Sequence, residues 1–229
     1  MRLDKFLCHN AGLTRNEAKR AIKKKCVTVN DAVITDAGQH IATDDDVCIN
    51  NTTIAYLGTQ YLMLNKPAGF VSVTQDDLYP TVLELIDIPA KGLHAAGRLD
   101  LDTTGLVLLT NDGKWAHKVT SPNHHCQKTY HVTLADPITP KAIKVLEEGI
   151  YFKSEDRKTR PAVVEVISEH QVLLTIQEGM YHQVKRMFAA ADNEVIALHR
   201  QSIGHIVLDD RLAEGEYRPL TEQEIASIH

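Results

Sequence analysis

The sequence predicts an α+β protein: a small basic head of two helices and a few short strands, followed by a larger body built on a mixed, largely antiparallel sheet. Three observations carry this. Residues 1–25 hold eight cations against Asp4 and Glu17, a local charge of +6, so the other residues carry −11 of the net −5. Beyond residue 60 strand runs outnumber helices and often follow one another directly, which disfavours a doubly wound sheet. Neither a Gly-x-Gly-x-x-Gly nor a Gly-Lys-Ser/Thr segment occurs, which argues against a dinucleotide enzyme or a P-loop NTPase.

The length of 229 residues allows one or two domains, and 43% apolar with 24% charged residues is ordinary globular composition. Cys8, Cys26, Cys48 and Cys126 lie far apart with no Cys-x-x-Cys, so reduced thiols in a cytoplasmic protein are expected. The first residues, Met-Arg-Leu-Asp-Lys, are charged where a secretion signal is apolar, and the aliphatic run Leu106 to Leu109 is too short to span a bilayer.

In the head, Leu3, Phe6 and Leu7 share a helix face. Thr14 followed by Glu17 forms a capping-box signature for a second helix, with Ala18, Ala21 and Ile22 on its apolar side. Arg15, Lys19 and Lys23 follow at four-residue steps and line one stripe. That stripe is either a phosphate-contacting face or a solvated helix surface. Val27, Val29 and Val33 around Asn30-Asp31 read as a hairpin, and Val47 to Ile49 as a further strand. The polar stretch over 50–60 marks the boundary, giving domains over 1–58 and 59–229. In the body, strands are expected at Tyr61 to Asn65, Leu106 to Leu109, Thr129 to Leu134, Ala162 to Ile167, Val172 to Ile176 and Ile203 to Leu208. Helices are expected at Thr81 to Ile86, Lys114 to Thr120, Pro140 to Glu148 and His182 to Ala191.

Three segments are dense in chemistry-bearing residues. Gly97-Arg98-Leu99-Asp100-Leu101-Asp102-Thr103-Thr104-Gly105 places carboxylates beside an arginine between glycines. A neighbouring cation favours the ionised carboxylate, which can act as nucleophile or base; the alternative is a turn whose aspartates cap nearby amides. Gly179 to Met187 leads into a helix carrying His182, Lys185 and Arg186, either a basic amphipathic helix or a way of bringing a cation to a carboxylate or phosphate. Gln127 to Val132 sets Tyr130 in a strand, as packing or as a platform for a base.

Residues 2–30 resemble the S4-type RNA-binding domain through Arg2 to Leu7, Thr14 to Ile22 and Val27 to Asn30. The whole chain resembles the pseudouridine synthases of the RsuA type. The motifs are Leu64-Asn65-Lys66-Pro67-x-Gly69, Gly97-Arg98-Leu99-Asp100-x-Asp102-Thr103-Thr104-Gly105-Leu106, Lys128-Thr129-Tyr130 and Gly179-x-Tyr181-His182-Gln183-Val184-Lys185-Arg186-Met187, in the family's order. The resemblance implies isomerisation of a uridine to pseudouridine in small-subunit (16S) ribosomal RNA, free or in the assembling particle, by a monomeric enzyme without cofactor or metal. It implies that Asp100 is catalytic, Asp102 supports it structurally, Tyr130 stacks on the uracil and Lys185 pairs with Asp100. Arg2, Arg15, Lys19, Arg20, Lys23, Arg98, His182 and Arg186 are then the expected RNA contacts.

Rival readings are weaker. Asp102-Thr103-Thr104-Gly105 lacks the glycine directly after threonine, and the second half-site, that an aspartic protease requires. A metal site from His117, His124, His125 and Cys126 would need adjacent histidines to reach one ion. A pure RNA-binding protein would have no need of Asp100, Tyr130 and Lys185 together.

Overall fold

The computed structural model describes residues 1–88, 92–121, 124 and 126–228. It divides into two compact units, one of Met1–Gln60 with the described part of Ile86–Leu93, the other of Tyr61–Leu85 and His94–His229. The sequence reading placed 86–93 in the body.

In the first unit, α1 (Leu3–Asn10) and α2 (Arg15–Lys23) precede β1 (Val27–Val29), β2 (Ala32–Val33), β3 (Val47–Ile49) and β4 (Thr52–Thr53), an antiparallel sheet in the order β2-β1-β3-β4. The capping box forms. The Thr14 side chain accepts from the Glu17 amide at 3.2 Å, and the Thr14 amide donates back to Glu17 at 2.8 Å, satisfying amides that the first helical turn leaves without partners. Asn30-Asp31 and Asn50-Asn51 close the two hairpins with positive φ at all four residues, the conformation whose twist matches paired strands. Leu3, Phe6, Leu7, Ala18, Ile22, Val27 and Val47 form the core, leaving Arg15, Lys19, Arg20 and Lys23 exposed.

The second unit contains β5 (Tyr61–Lys66), a 3-10 turn (Val82–Leu85), β6 (His94–Ala95), β7 (Thr104–Thr110), α3 (Gly113–Thr120), β8 (Lys128–Leu134), α4 (Pro140–Glu148), β9 (Tyr151–Phe152), β10 (Arg157–Lys158), β11 (Val163–Ser168), β12 (Gln171–Ile176), α5 (Gln183–Ala190), β13 (Val195–Ile203), β14 (Ile206–Val207), β15 (Tyr217–Pro219) and α6 (Glu222–Ala226). The main sheet runs β11-β12-β8-β13-β7-β5-β15, with β14 on β13 and β6 on β7. Every pairing is antiparallel except β13 with β7. The mixed, largely antiparallel α+β class is therefore the one found.

One side of this sheet is sealed by Met63, Leu106, Leu108, Trp115, Val119 and Ile203. On β8 alternate residues Lys128, Tyr130, Val132 and Leu134 are buried, as pleating requires. The amphipathic helices α4 and α5 contact one another and the strands β11 and β13, respectively.

Three expectations are corrected. The helix expected over Thr81 to Ile86 is a single 3-10 turn. The helix expected from His182 begins at Gln183, because His182 is the N-cap in left-handed backbone (φ 47°, ψ 36°). The strand expected at Ile203 to Leu208 is the end of β13 plus the two-residue β14, and most of β13 lies upstream, where its sequence offered little sign of a central strand.

Candidate active site

The loop between β6 and β7, residues 97–103, is held from three sides. The Ser72 hydroxyl donates to the Leu99 carbonyl at 3.2 Å and accepts from the Leu99 amide at 3.1 Å. The Gly69 amide donates to Leu101 O at 2.8 Å. From beneath, the fully buried Lys66 sends Nζ to the carbonyls of Thr103 (2.7 Å), Pro67 (2.9 Å) and Leu101 (3.3 Å). Burial pushes this ammonium down to about 8, with Asp102 and Asp100 opposing the shift. Three carbonyl dipoles converging on one cation fix the loop without an acidic partner in contact.

On the far side stands Arg200 of β13, 2% exposed, donating from Nε to Leu106 O at 2.8 Å and from Nη1 to Arg98 O at 3.4 Å. The parallel register sets Arg200 opposite Gly105. Gly105 has φ +99°, and a Cβ there would lie 2.4 Å from Arg200 O. Only glycine permits that approach.

These supports deliver Asp100 to a cleft of about 650 Å³ that is also lined by Arg98, Tyr130, His182, Lys185 and Arg200. His182 Nε2 is 3.5 Å from Asp100 Oδ1, and Lys185 Nζ is 3.9 Å from Asp100 Oδ2. The left-handed backbone of His182 is of the kind found where surrounding structure imposes a functional geometry, and its ring stacks on the exposed Tyr181 at 3.8 Å.

Lys185, expected to pair with Asp100, reaches it at 3.9 Å and makes its shorter contacts to Asp102. Lys185 Nζ donates to both carboxylate oxygens of Asp102, at 2.6 and 2.7 Å, and holds that carboxyl below the ordinary aspartate range. Asp102 is 70% exposed, Asp100 30%; the more exposed carboxylate takes the direct contact, and Lys185 stands between the two. Among the expected RNA contacts, Arg98 and His182 line the cleft with Asp100. Arg186 does not. It is bound to Glu155 at 2.6 and 2.8 Å and lies over the Phe152 ring at 3.8 Å, pulling the Glu155 carboxyl down to about 2. Arg2 is likewise paired, with Asp4 at 2.8 Å. The rings of His117 and His124 meet edge to face at 6.1 Å, and among the described residues no three metal-ligating side chains converge; His125 lies outside them.

The sequence of this scaffold matches a known one. A sequence model of the family described as RNA pseudouridylate synthase matches residues 60–190, and one of the S4 domain matches residues 1–47. The chain belongs to the RNA pseudouridylate synthase family. It is 52% identical over 231 residues to ribosomal small subunit pseudouridine synthase A of Pasteurella multocida, covering 100% of both chains. To the proteins of the same name from Haemophilus influenzae and Escherichia coli it is 50% and 52% identical over 230 residues, covering 100% of this chain and 99% or 100% of the other. A solved structure described as a pseudouridylate synthase superimposes with a TM-score of 0.72 at 49% identity, covering 100% of each chain. This synthase thus joins an S4 domain to a pseudouridine synthase domain.

Two buried cations of the synthase were not assigned roles from sequence. Lys66 was visible as the cation of the Leu64-Asn65-Lys66-Pro67-x-Gly69 motif, with no role attached to it. Arg200 sits in a segment, Val195 to Ser202, whose His199, Gln201 and Ser202 hide the strand.

Proposed function

We propose that this synthase isomerises a uridine of small-subunit (16S) ribosomal RNA to pseudouridine, with Asp100 as the catalytic carboxylate. The observation that carries the proposal is the convergence of Asp100, Tyr130 and Lys185 on one cleft. The relatives' names, which specify the ribosomal small subunit, point to the RNA.

The reaction breaks the N1–C1′ bond, turns the uracil, joins C5 to C1′, releases the C5 proton and places one on N1. It is neither redox chemistry nor hydrolysis. Asp100 supplies a carboxylate that adds to the sugar or base or takes a sugar proton. Lys185, 3.9 Å away, and His182, 3.5 Å away, supply donors for it. The target must leave its stack, at a cost of a few kcal/mol, and Tyr130 offers it an aromatic surface. Arg98 is exposed at the mouth of the cleft and suits the space the nucleotide vacates. The cations Arg15, Lys19, Arg20 and Lys23 supply phosphate contacts from the S4 unit. Domains of 1–58 and 59–229, a monomeric state and a cytoplasmic setting complete the proposal, and among the described residues no helix is long and apolar enough to cross a membrane.

The test is incubation with transcribed small-subunit rRNA followed by carbodiimide mapping of pseudouridine. A new pseudouridine made by the native chain and absent with Asp100→Asn supports the reading; unmodified RNA refutes the substrate, and turnover by Asp100→Asn refutes the residue.

A further inference from the structure

A buried N–H without an acceptor costs free energy that a bound acceptor would recover. Arg200 carries one. Among the described residues its Nη2 has no hydrogen-bond partner and its Nη1 makes only the 3.4 Å contact to Arg98 O, and the side chain lines the same cleft as Asp100 and Tyr130. The guanidinium carbon lies 6.0 Å from the centre of the Tyr130 ring, so a base stacked on that ring is within reach of the guanidinium edge. Arg200 is too deeply buried to serve a backbone phosphate at the surface. An atom of the base itself is its natural acceptor.

We propose that Arg200 reads uracil by donating from its Nη1/Nη2 edge to the carbonyl that lies across the ring from the sugar. This rests on the pseudouridylation reading and deepens it. Before the reaction N1 is joined to the sugar, and the atom across the ring is C4, with carbonyl O4. After it C5 is joined, and the atom across the ring is C2, with carbonyl O2. This holds whether the detached base turns in its plane or flips over, because the ring position opposite C5 is C2 in either case. A donor fixed at that place therefore meets a carbonyl both before and after the turn, and anchors the free base while N1 and C5 exchange. The Nε bond to Leu106 O, and the strand register opposite Gly105, hold Arg200 for this task. In cytosine the same position carries an amino group, a donor facing a donor, and the base is rejected.

The test uses the full chain and three probes: uridine, cytidine and 4-thiouridine 5′-monophosphates, titrated by calorimetry or NMR. The thiocarbonyl sulfur is a poor acceptor. Native protein is expected to bind the uridine nucleotide about ten-fold more tightly than the other two, and Arg200→Met to bind all three alike. If Arg200→Met does not fold, Arg200→Lys serves, since a shorter ammonium taken up by the Leu106 carbonyl cannot span to the base. Equal binding of all three nucleotides by native protein overturns the proposal, as does a folded variant that keeps the native preference. No ribosomal RNA enters this titration, so its failure is separate from failure of the small-subunit substrate.

Discussion

Replacing Lys66 by methionine tests whether a buried ammonium supports the loop that carries Asp100. In the folded chain the ammonium is pushed from 10.5 down to about 8 by burial. Between those two values the unfolded chain holds a proton that the folded chain has released, so unfolding free energy rises with pH at up to ~1.36 kcal/mol per unit. Below pH 8 both states are protonated and Lys66 contributes no slope; above 10.5 both are neutral and the slope vanishes again. The full interval amounts to about 3.4 kcal/mol as an upper figure. Tyr61, raised to about 12 by burial and its bond to Asp112, lowers the stability of both proteins above pH 10 and cancels in the comparison; the window taken is pH 8 to 10. Across it the native protein should gain about 2 kcal/mol relative to Lys66→Met, the slope at pH 8 being half its maximum because the folded group is half titrated there. Lys128, lowered by burial, cancels because both proteins contain it. Urea unfolding followed by Trp115 reads the difference, since this single tryptophan lies in the core of the same unit. At pH 7 the variant should also lose turnover, because Thr103 O and Pro67 O lose their donor. Parallel pH profiles for the two proteins would refute the reasoning.

Three further expectations concern the cleft and the S4 unit. Asp100→Asn should abolish pseudouridine formation while leaving RNA affinity within a few fold, whereas Asp102→Asn should stay active because Lys185 is then released to Asp100; the paired rates by carbodiimide mapping decide it, and an inactive but folded Asp102→Asn would reverse the roles. Gly105→Ala should be strongly destabilising, by about 3 kcal/mol or more, since its Cβ meets backbone at 2.4 Å in a positive-φ position; a near-native urea midpoint would mean that β7 and β13 can part without cost. Changing Arg15, Lys19 and Lys23 together to Gln in the full chain should flatten the slope of log affinity against log salt by about 2 to 3 if each contacts one phosphate, and an unchanged slope in a filter-binding series would return the stripe to a solvated face.

Local signals were legible where neighbours in sequence are also neighbours in space. The Thr14–Glu17 box, the Asn30-Asp31 turn and the Pro140 to Glu148 helix each depend on interactions within a few residues, and each stands where the sequence places it. The four motifs in order carried the resemblance to the family, without any knowledge of how they meet. What the sequence could not decide was set by long-range pairing. Strand β13 reads as polar, yet it is central, because Leu106 O and Arg98 O, about a hundred residues away, accept the bonds of Arg200. Lys185 is the third residue of α5, but only the folded loop shows that Asp102, not Asp100, takes its short contacts at 2.6 and 2.7 Å. Arg186, adjacent to it, faces away to Glu155 because successive helical positions point about 100° apart. Charges act over distances in space, and a buried cation such as Lys66 or Arg200 is defined by the carbonyls that folding brings to it. The residue types and their order belong to the sequence; which donor meets which acceptor belongs to the tertiary structure, because desolvation and hydrogen-bond geometry exist only once the chain has closed around them.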